Sequence, residues 1–235
     1  MATTETPANT AKSSRKIPAW VEIPIVIVAA IFLAFLIKTF IVQIFYIPSG
    51  SMENTLLVGD RVAVNRFTYR FSQPQRGDIV VFDGVDSFVP AGHKNKSNGP
   101  VGDLMTELGR TIGVVAPPDT VFVKRVIGVA GDRVKCCNAK GQIMINGEPI
   151  AESQYLFPKN APSETKFDVV VPEEKLWVLG DHRGASADSR AHMGEPGGGF
   201  VPTDRVLGKA FAIIWPLSRA QLLSTPKWAE QMNSG

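Results

Sequence analysis

The chain has 235 residues, 44% hydrophobic and 20% charged, with 25 Lys+Arg against 22 Asp+Glu and a net charge of +3. That length holds one large domain or two small ones around a sizeable core, and the balance excludes both a disordered chain and a multi-span membrane protein. The basic residues are scattered rather than gathered in a run, so a nucleic-acid partner is not expected.

Residues 1–16 are polar, rich in Ala, Thr and Ser, and end in Lys12, Arg15 and Lys16. They read as a disordered tail. From Ile17 to Ile37 the chain is apolar except for Glu22, with Pro18 and Pro24 close to the start. At about 1.5 Å per residue this stretch reaches about 31 Å, enough to cross a bilayer core of about 30 Å. It is longer than the apolar region of a cleavable leader, and no small-x-small site follows it. The reading is a retained transmembrane anchor over 17–38. Basic residues precede it and only Lys38 follows closely, which places the N-terminus in the cytoplasm. Residues 39–235 are then extracytoplasmic, tethered to the cell membrane by a single span and touching membrane lipid.

Beyond the anchor the pattern becomes that of sheet. Runs rich in β-branched residues occur at Ile41–Ile47, Arg61–Asn65, Ile79–Phe82, Val121–Val126, Arg133–Lys135, Gln142–Ile145, Asp168–Val171, Leu176–Leu179 and Val206–Trp215. Turn signals separate them, including a recurring Gly-Asp and the hairpin dipeptide Asn146-Gly147. The expected fold is mainly β and antiparallel, with a small β subdomain over 133–175. Ala210–Ile214 is apolar but too short to span a membrane.

Residues 84–119 depart from this pattern. Val101, Leu104, Met105, Leu108, Ile112 and Val115 recur at spacings of three and four, one apolar face of a helix. This predicts a helical insertion packed on the sheet, with a helix resting on the membrane surface as the alternative. Cys136 and Cys137 are neighbours and cannot staple distant segments. They read as two thiols on a strand or turn, a ring between neighbours being the alternative. His93, His182 and His192 are widely spread, so neither a metal nor a cofactor is expected.

Three clusters carry chemistry. Ser49 and Ser51 lie in Ile47-Pro-Ser-Gly-Ser-Met52, which is ordinary turn composition by itself and lacks the G-x-S-x-G of a nucleophile elbow. A Ser-His-Asp triad has little support beyond His182. In the second cluster, Lys124 and Arg125 are adjacent within an apolar strand and point to opposite faces. If one face is buried, one cation must cope with burial; lysine can by losing its proton, arginine cannot. A lysine of ordinary pKa is neutral about once in 2,500 at pH 7, but at a pKa of roughly 8 about once in ten. Such a lysine is a competent base for a serine hydroxyl. The third cluster, Gly180 to Arg190, is dense in small and charged residues. An Asp188–Arg190 ion pair would lock it, and Ser186 offers a hydroxyl able to orient an amine.

Taken in order, these clusters resemble the type I signal peptidase family, the Ser-Lys leader peptidases. The resemblance rests on Pro48–Leu56, Gly59–Asn65, Lys124–Asp132 and Gly180–Arg190, extended by Phe200-Val-Pro202 and Gly208–Ile214, and it covers most of residues 40–215. It implies a membrane-bound serine endopeptidase that removes signal peptides from exported preproteins at small-x-small sites. Ser51 would be the nucleophile and Lys124 the general base. The Ser49 hydroxyl and the Ser51 N–H would form the oxyanion hole, Ser186 would orient the lysine, and Asp188 and Arg190 would shape the loop. Met52 would line the cleft or the membrane-proximal face, and Phe122 would help desolvate Lys124. The partners implied are signal peptides and lipid, acting on a monomer. Asn54 and Ala130 replace usual prolines, His182 a usual asparagine, and Arg66 stands where lysine is frequent; these changes are expected to loosen loops around the cleft. The rivals are a catalytically silent tethered β protein, a self-cleaving Ser-Lys repressor, which would need a DNA-binding domain where the anchor stands, and a peptidase dedicated to one client.

Overall fold

The computed structural model describes residues 19–40, 42–90, 106, 109, 115 and 117–234. The chain divides into two units, Met1–Ile37 and Lys38–Gly235. The expected tail, 1–16, lies outside the described residues. The expected insertion helix does as well, apart from Thr106 and Gly109, which are helical, and Val115, which lies in a bend.

A helix α1 runs Ala19–Phe40, all but its last three residues in the first unit, with Glu22 in its first turn and Pro24 inside it. An acidic residue there complements the positive end of the helix dipole. Trp20, Ile23, Ile25, Val26, Ile27 and Val28 are all exposed, so apolar side chains face outward around the helix rather than along one stripe. Among the described residues, no helix is long and apolar enough to cross a membrane. The helix therefore stands close to where the anchor was expected, while the crossing itself does not follow from the fold.

In the second unit, antiparallel pairing builds two sheets. The larger uses β1 (Val42–Tyr46), β2 (Arg61–Asn65), β3 (Ile79–Asp83), β4 (Val121–Gly128), β9 (Lys175–Leu179), β10 (Val201–Pro202), β11 (Val206–Trp215) and β12 (Gln221–Leu222). Its order is β1-β2-β11-β3-β4-β9-β10, with β12 beside β11. The smaller uses β5 (Arg133–Cys136), β6 (Ile143–Ile145), β7 (Glu148–Pro149) and β8 (Phe167–Val170), in the order β7-β6-β5-β8. Asn146 and Gly147 both take positive φ between β6 and β7, the backbone that a two-residue hairpin loop of the favoured hand requires.

The large sheet is buried on both faces. Along β3, Ile79 and Val81 join one apolar cluster with Val62, Val64 and Ile213, whereas Val80 and Phe82 join another with Val126 and Val178. Alternation along a strand sends neighbours to opposite sides, so every residue of Ile79–Phe82 is covered. A third cluster ties Val134, Ile143 and Ile145 of the small sheet to Trp177 and Leu179 of the large one. It also takes in Trp228 and Ala229 of a short helix, α2 (Lys227–Asn233), which no pattern in the sequence announced. Arg76 fastens the end of α2, donating to Met232 O at 3.1 Å while pairing with Asp132 at 2.6 Å.

The adjacent cysteines, expected as two thiols, are bonded to each other as a disulfide. Cys136 closes β5 and is buried against Ile143 and Phe167. The bond joins neighbours, so it ties no distant segments together.

Candidate active site

A short 3-10 turn, Gly50–Met52, follows β1 and carries Ser51. Ser49 precedes it in extended backbone and is exposed, its hydroxyl making no capping bond to the turn. The turn's path is set by Met52, which is 1% exposed and sits in a core cluster with Ile47, Leu56 and Val62. Met52 was expected to line the cleft or the membrane-proximal face; it is instead the apolar peg that fixes the turn. With Met52 pointing down, Ser51 is left at the edge of the buried region.

Lys124, on β4, places Nζ 2.8 Å from Ser51 Oγ, and Nζ also donates to Val123 O at 3.1 Å. The lysine is 3% exposed. Burial lowers its pKa to about 8, because desolvation outweighs the opposing pull of the Asp188 and Asp181 carboxylates. Arg125, next along the strand, is buried too, because both faces of the sheet are covered and not one alone. Arg125 makes a bidentate pair with Asp181 at 2.8 and 2.7 Å and donates to Gly77 O at 3.0 Å. Its guanidinium lies 4.2 Å from the Tyr155 ring centre.

The 180–190 loop wraps this pair. Asp188 is fully buried, accepts from Gly180 N at 3.0 Å and takes two bonds of 2.8 Å from Arg190. Arg190 reaches on to Arg183 O at 2.9 Å. Arg183 in turn pairs with Glu152 in the interior. Gly180 is where the loop meets the Ser51 turn: a Cβ there would overlap Ser186 Oγ and the Ser51 carbonyl oxygen. Ser186 thus lies beside Ser51. Its hydroxyl, however, is buried with no hydrogen-bond partner among the described residues, so it is not bonded to the Lys124 amine it was expected to orient. Phe122, expected to desolvate the lysine, stacks on Phe82 and meets Phe88 edge-on.

Several contacts between residues of these boxes had no sequence signal. Thr55 donates to Asp181 at 2.5 Å, and His182 Nδ1 lies 2.9 Å from Glu53 Oε2. Of the four departures expected to loosen loops, Asn54, His182 and Ala130 do not behave alike. Asn54 takes φ +83 and donates to Leu156 O at 3.1 Å; proline, locked near φ −65°, has no access to that backbone. His182 stacks on Phe157 and so ties two loops together. For Ala130 nothing in the structure shows an effect.

β4 pairs with β3 along Val121–Arg125 but with β9 only from Arg125 onward. Among the described residues, Val121–Lys124 therefore has no strand partner on its second side. A cavity of about 220 Å3 adjoins it, lined by Ile44, Phe45, Val121 and Leu207. A second, of about 170 Å3, is lined by Asn160, Arg183, Ser186 and Arg190. A hydroxyl against a buried amine of depressed pKa, beside an open strand edge, is suited to nucleophilic attack on a peptide laid along that edge.

Comparison with known proteins finds signal peptidases. The family model for signal peptidase, peptidase S26, matches residues 19–215. The chain is 38% identical over 224 residues to a probable signal peptidase I of Mycobacterium leprae, covering 84% of this chain and 77% of that one. It is likewise 38% identical to signal peptidase I of Mycobacterium tuberculosis, over 84% of this chain and 73% of the relative. Against signal peptidase IB of Staphylococcus aureus the identity is 30%, covering 86% and 92%.

Proposed function

The chain belongs to the signal peptidase family of S26 peptidases, and on that premise we propose that it cleaves signal peptides from exported preproteins with a Ser51–Lys124 dyad. The observation that carries this reading is the 2.8 Å approach of Lys124 Nζ to Ser51 Oγ in a setting that lowers the lysine's pKa to about 8.

In the proposed reaction the precursor adds as an antiparallel strand to the free edge of β4. Ser51 Oγ attacks the scissile carbonyl carbon while neutral Lys124 takes the hydroxyl proton. Negative charge on the carbonyl oxygen is met by the Ser51 N–H and the Ser49 hydroxyl, which is uncommitted to the turn. The C–N bond then breaks, the leaving amine collects the proton from Lys124, and an ester to Ser51 remains. Lys124 next deprotonates a water that attacks this ester, releasing the carboxylate and restoring the hydroxyl. The modest cavity beside Val121 suits the small side chains of a small-x-small site. Asp188 and Arg190 hold the loop, and Ser186 turns toward the amine once substrate excludes water.

The protein acts as a monomer at the cell membrane. α1 and its apolar flanks form a single-pass anchor, with the N-terminus cytoplasmic and residues 39–235 outside. An apolar surface on every side of a helix calls for lipid or a protein interior around it, and the basic residues preceding the helix set its direction.

The test is incubation of the purified protein with a secretory precursor ending in Ala-x-Ala, followed by sequencing of the new N-terminus. Cleavage after the second alanine by the wild type and none by Ser51→Ala is the expected result. Retained cleavage by that variant would remove Ser51 from the mechanism.

A further inference from the structure

Resting on Ser51 as the nucleophile, we propose that His182 is a positioning residue that clamps Glu53 over the nucleophile turn and so keeps the Ser51 N–H aimed at the scissile carbonyl oxygen. His182 grips the turn twice. Its backbone N–H donates to Ser51 O at 3.1 Å, and its Nδ1 lies 2.9 Å from Glu53 Oε2. A carboxylate only accepts, so Nδ1 carries the proton. The Glu53 backbone closes the turn from beneath, its N–H donating to Gly50 O at 3.0 Å. Its carboxylate folds back above it, with Oε1 only 2.8 Å from where a Cβ on Gly50 would stand. The peptide leading into Ser51 is thus held between a carboxylate, a ring and a backbone hydrogen bond.

The ring is itself fixed. It stacks on Phe157 with centroids 3.9 Å apart and planes 14° from parallel, and Phe157 N donates to Asp181 O at 2.9 Å. The clamp also answers an electrostatic difficulty. Glu53 brings a negative charge within two residues of the N–H that must receive a developing oxyanion, and like charges at such a place raise the barrier. A proton donor on Oε2 draws that charge away. His182 does not act as a triad histidine: a carboxylate on Nδ1 is triad-like, but the Ser51 hydroxyl is bonded to Lys124 Nζ and not to the ring.

The experiment compares the full-length wild type, His182→Ala, His182→Asn, the double variant His182→Ala/Glu53→Gln, and Ser51→Ala, on a fluorogenic peptide spanning an Ala-x-Ala site. Asparagine sets an amide N–H near the position of Nδ1, and Glu53→Gln removes the charge that has to be offset. For His182→Ala, kcat is expected to fall about tenfold with KM within about twofold. His182→Asn should recover to within about threefold of wild type, whereas the double variant, which sheds the charge without regaining the clamp, should stay about tenfold down; recovery there would overturn positioning in favour of charge alone. Wild-type kcat in His182→Ala, a loss confined to KM, or an Asn variant as poor as the Ala variant would each overturn the clamp. If His182→Ala does not fold, the Asn variant decides alone: kcat about tenfold down in a protein of normal melting temperature overturns it, and kcat near wild type supports it. An inert Ser51→Ala beside an unimpaired His182→Ala sinks the clamp only; an active Ser51→Ala sinks the nucleophile assignment beneath it.

Discussion

Lys124 and Arg125 are consecutive on β4 and both are buried, yet Arg125 meets the Asp181 carboxylate at 2.7 Å while Lys124 meets a serine hydroxyl at 2.8 Å. The difference separates structure from chemistry. A paired guanidinium keeps its charge inside a fold, whereas a buried amine with no carboxylate bonded to it is pushed toward neutrality. In the proposed mechanism neutral Lys124 is the active form, so kcat/KM should rise about tenfold per pH unit up to about 8 and level off above it. Lys124→Arg, which stays charged, should lose at least about a thousandfold in kcat/KM with an unchanged circular dichroism spectrum. A pH profile of peptide cleavage that is flat from 6 to 9 would contradict the assignment.

The same burial has a consequence for stability, and its sign is opposite to that of a lysine in an ion pair. The folded-state pKa of about 8 lies below the ordinary 10.5, so between those values the unfolded chain binds more protons. Stability should therefore climb as pH rises from about 8 to about 10.5. Below 8 the buried amine is a constant burden of up to about 3 kcal/mol. Lys124→Met, inert by construction, should be the more stable protein at pH 7, and its urea midpoint should lack the alkaline rise.

How far the sequence foretold this arrangement depends on the distance over which a signal acts. β2 and β11 were expected at Arg61–Asn65 and Val206–Trp215 and occur there, because β-branched runs between turn residues are a local property. Ser51 and Lys124 stand 73 positions apart and were linked through resemblance, not spacing. The links from Arg125 to Asp181, Arg183 to Glu152 and His182 to Glu53 span 56, 31 and 129 positions. No periodicity reports such pairs; only the fold brings them together. Met52 was misplaced for a related reason, since a methionine beside a reactive serine looks like a cleft residue until the core beneath the turn is visible. α2 escaped notice because seven residues after a proline show too little amphipathic pattern to register.

Asp181 is the carboxylate on which the interior depends. It accepts from Arg125 twice and from Thr55. Asp181→Ala leaves a guanidinium 2% exposed with no counter-charge, and breaking such a pair costs about 3–5 kcal/mol. The urea midpoint should fall accordingly. Asp181 also raises the Lys124 pKa, so whatever activity survives should show its pH inflection displaced toward acid. An inflection displaced toward alkali would mean that Asp181 acts on the lysine by some route other than charge.

Gly180 offers a test of how closely the loop must approach Ser51, the proposed nucleophile. A methyl group there would collide with the Ser51 carbonyl oxygen and the Ser186 hydroxyl. The carbonyl belongs to the turn and cannot yield without moving Ser51. Gly180→Ala should cost about 1–3 kcal/mol of stability, as overpacking does. It should lower kcat by at least about a hundredfold, because small misplacements of a nucleophile are expensive in rate. Should the variant cleave at more than a tenth of the wild-type rate, the loop has room that the structure denies.

Residues 38–235 form their own compact unit, so deleting residues 1–38 should leave the β1–β2 pairing and the Ser51–Lys124 approach in place. Peptide cleavage should persist within about tenfold of the full chain. Solubility should not. Leu57, Val58, Phe71, Trp215, Leu217 and Leu222 are exposed on this unit, more large apolar groups than solubility favours, and such exposed apolar surface marks a membrane or partner contact. The truncated protein should need detergent to stay monodisperse, and it should float with anionic phospholipid vesicles in a density gradient. Leu217→Ser/Leu222→Ser should reduce that flotation without changing peptide cleavage. A truncated protein that is fully active, monodisperse in plain buffer and absent from the vesicle fraction would show that α1 alone accounts for membrane association.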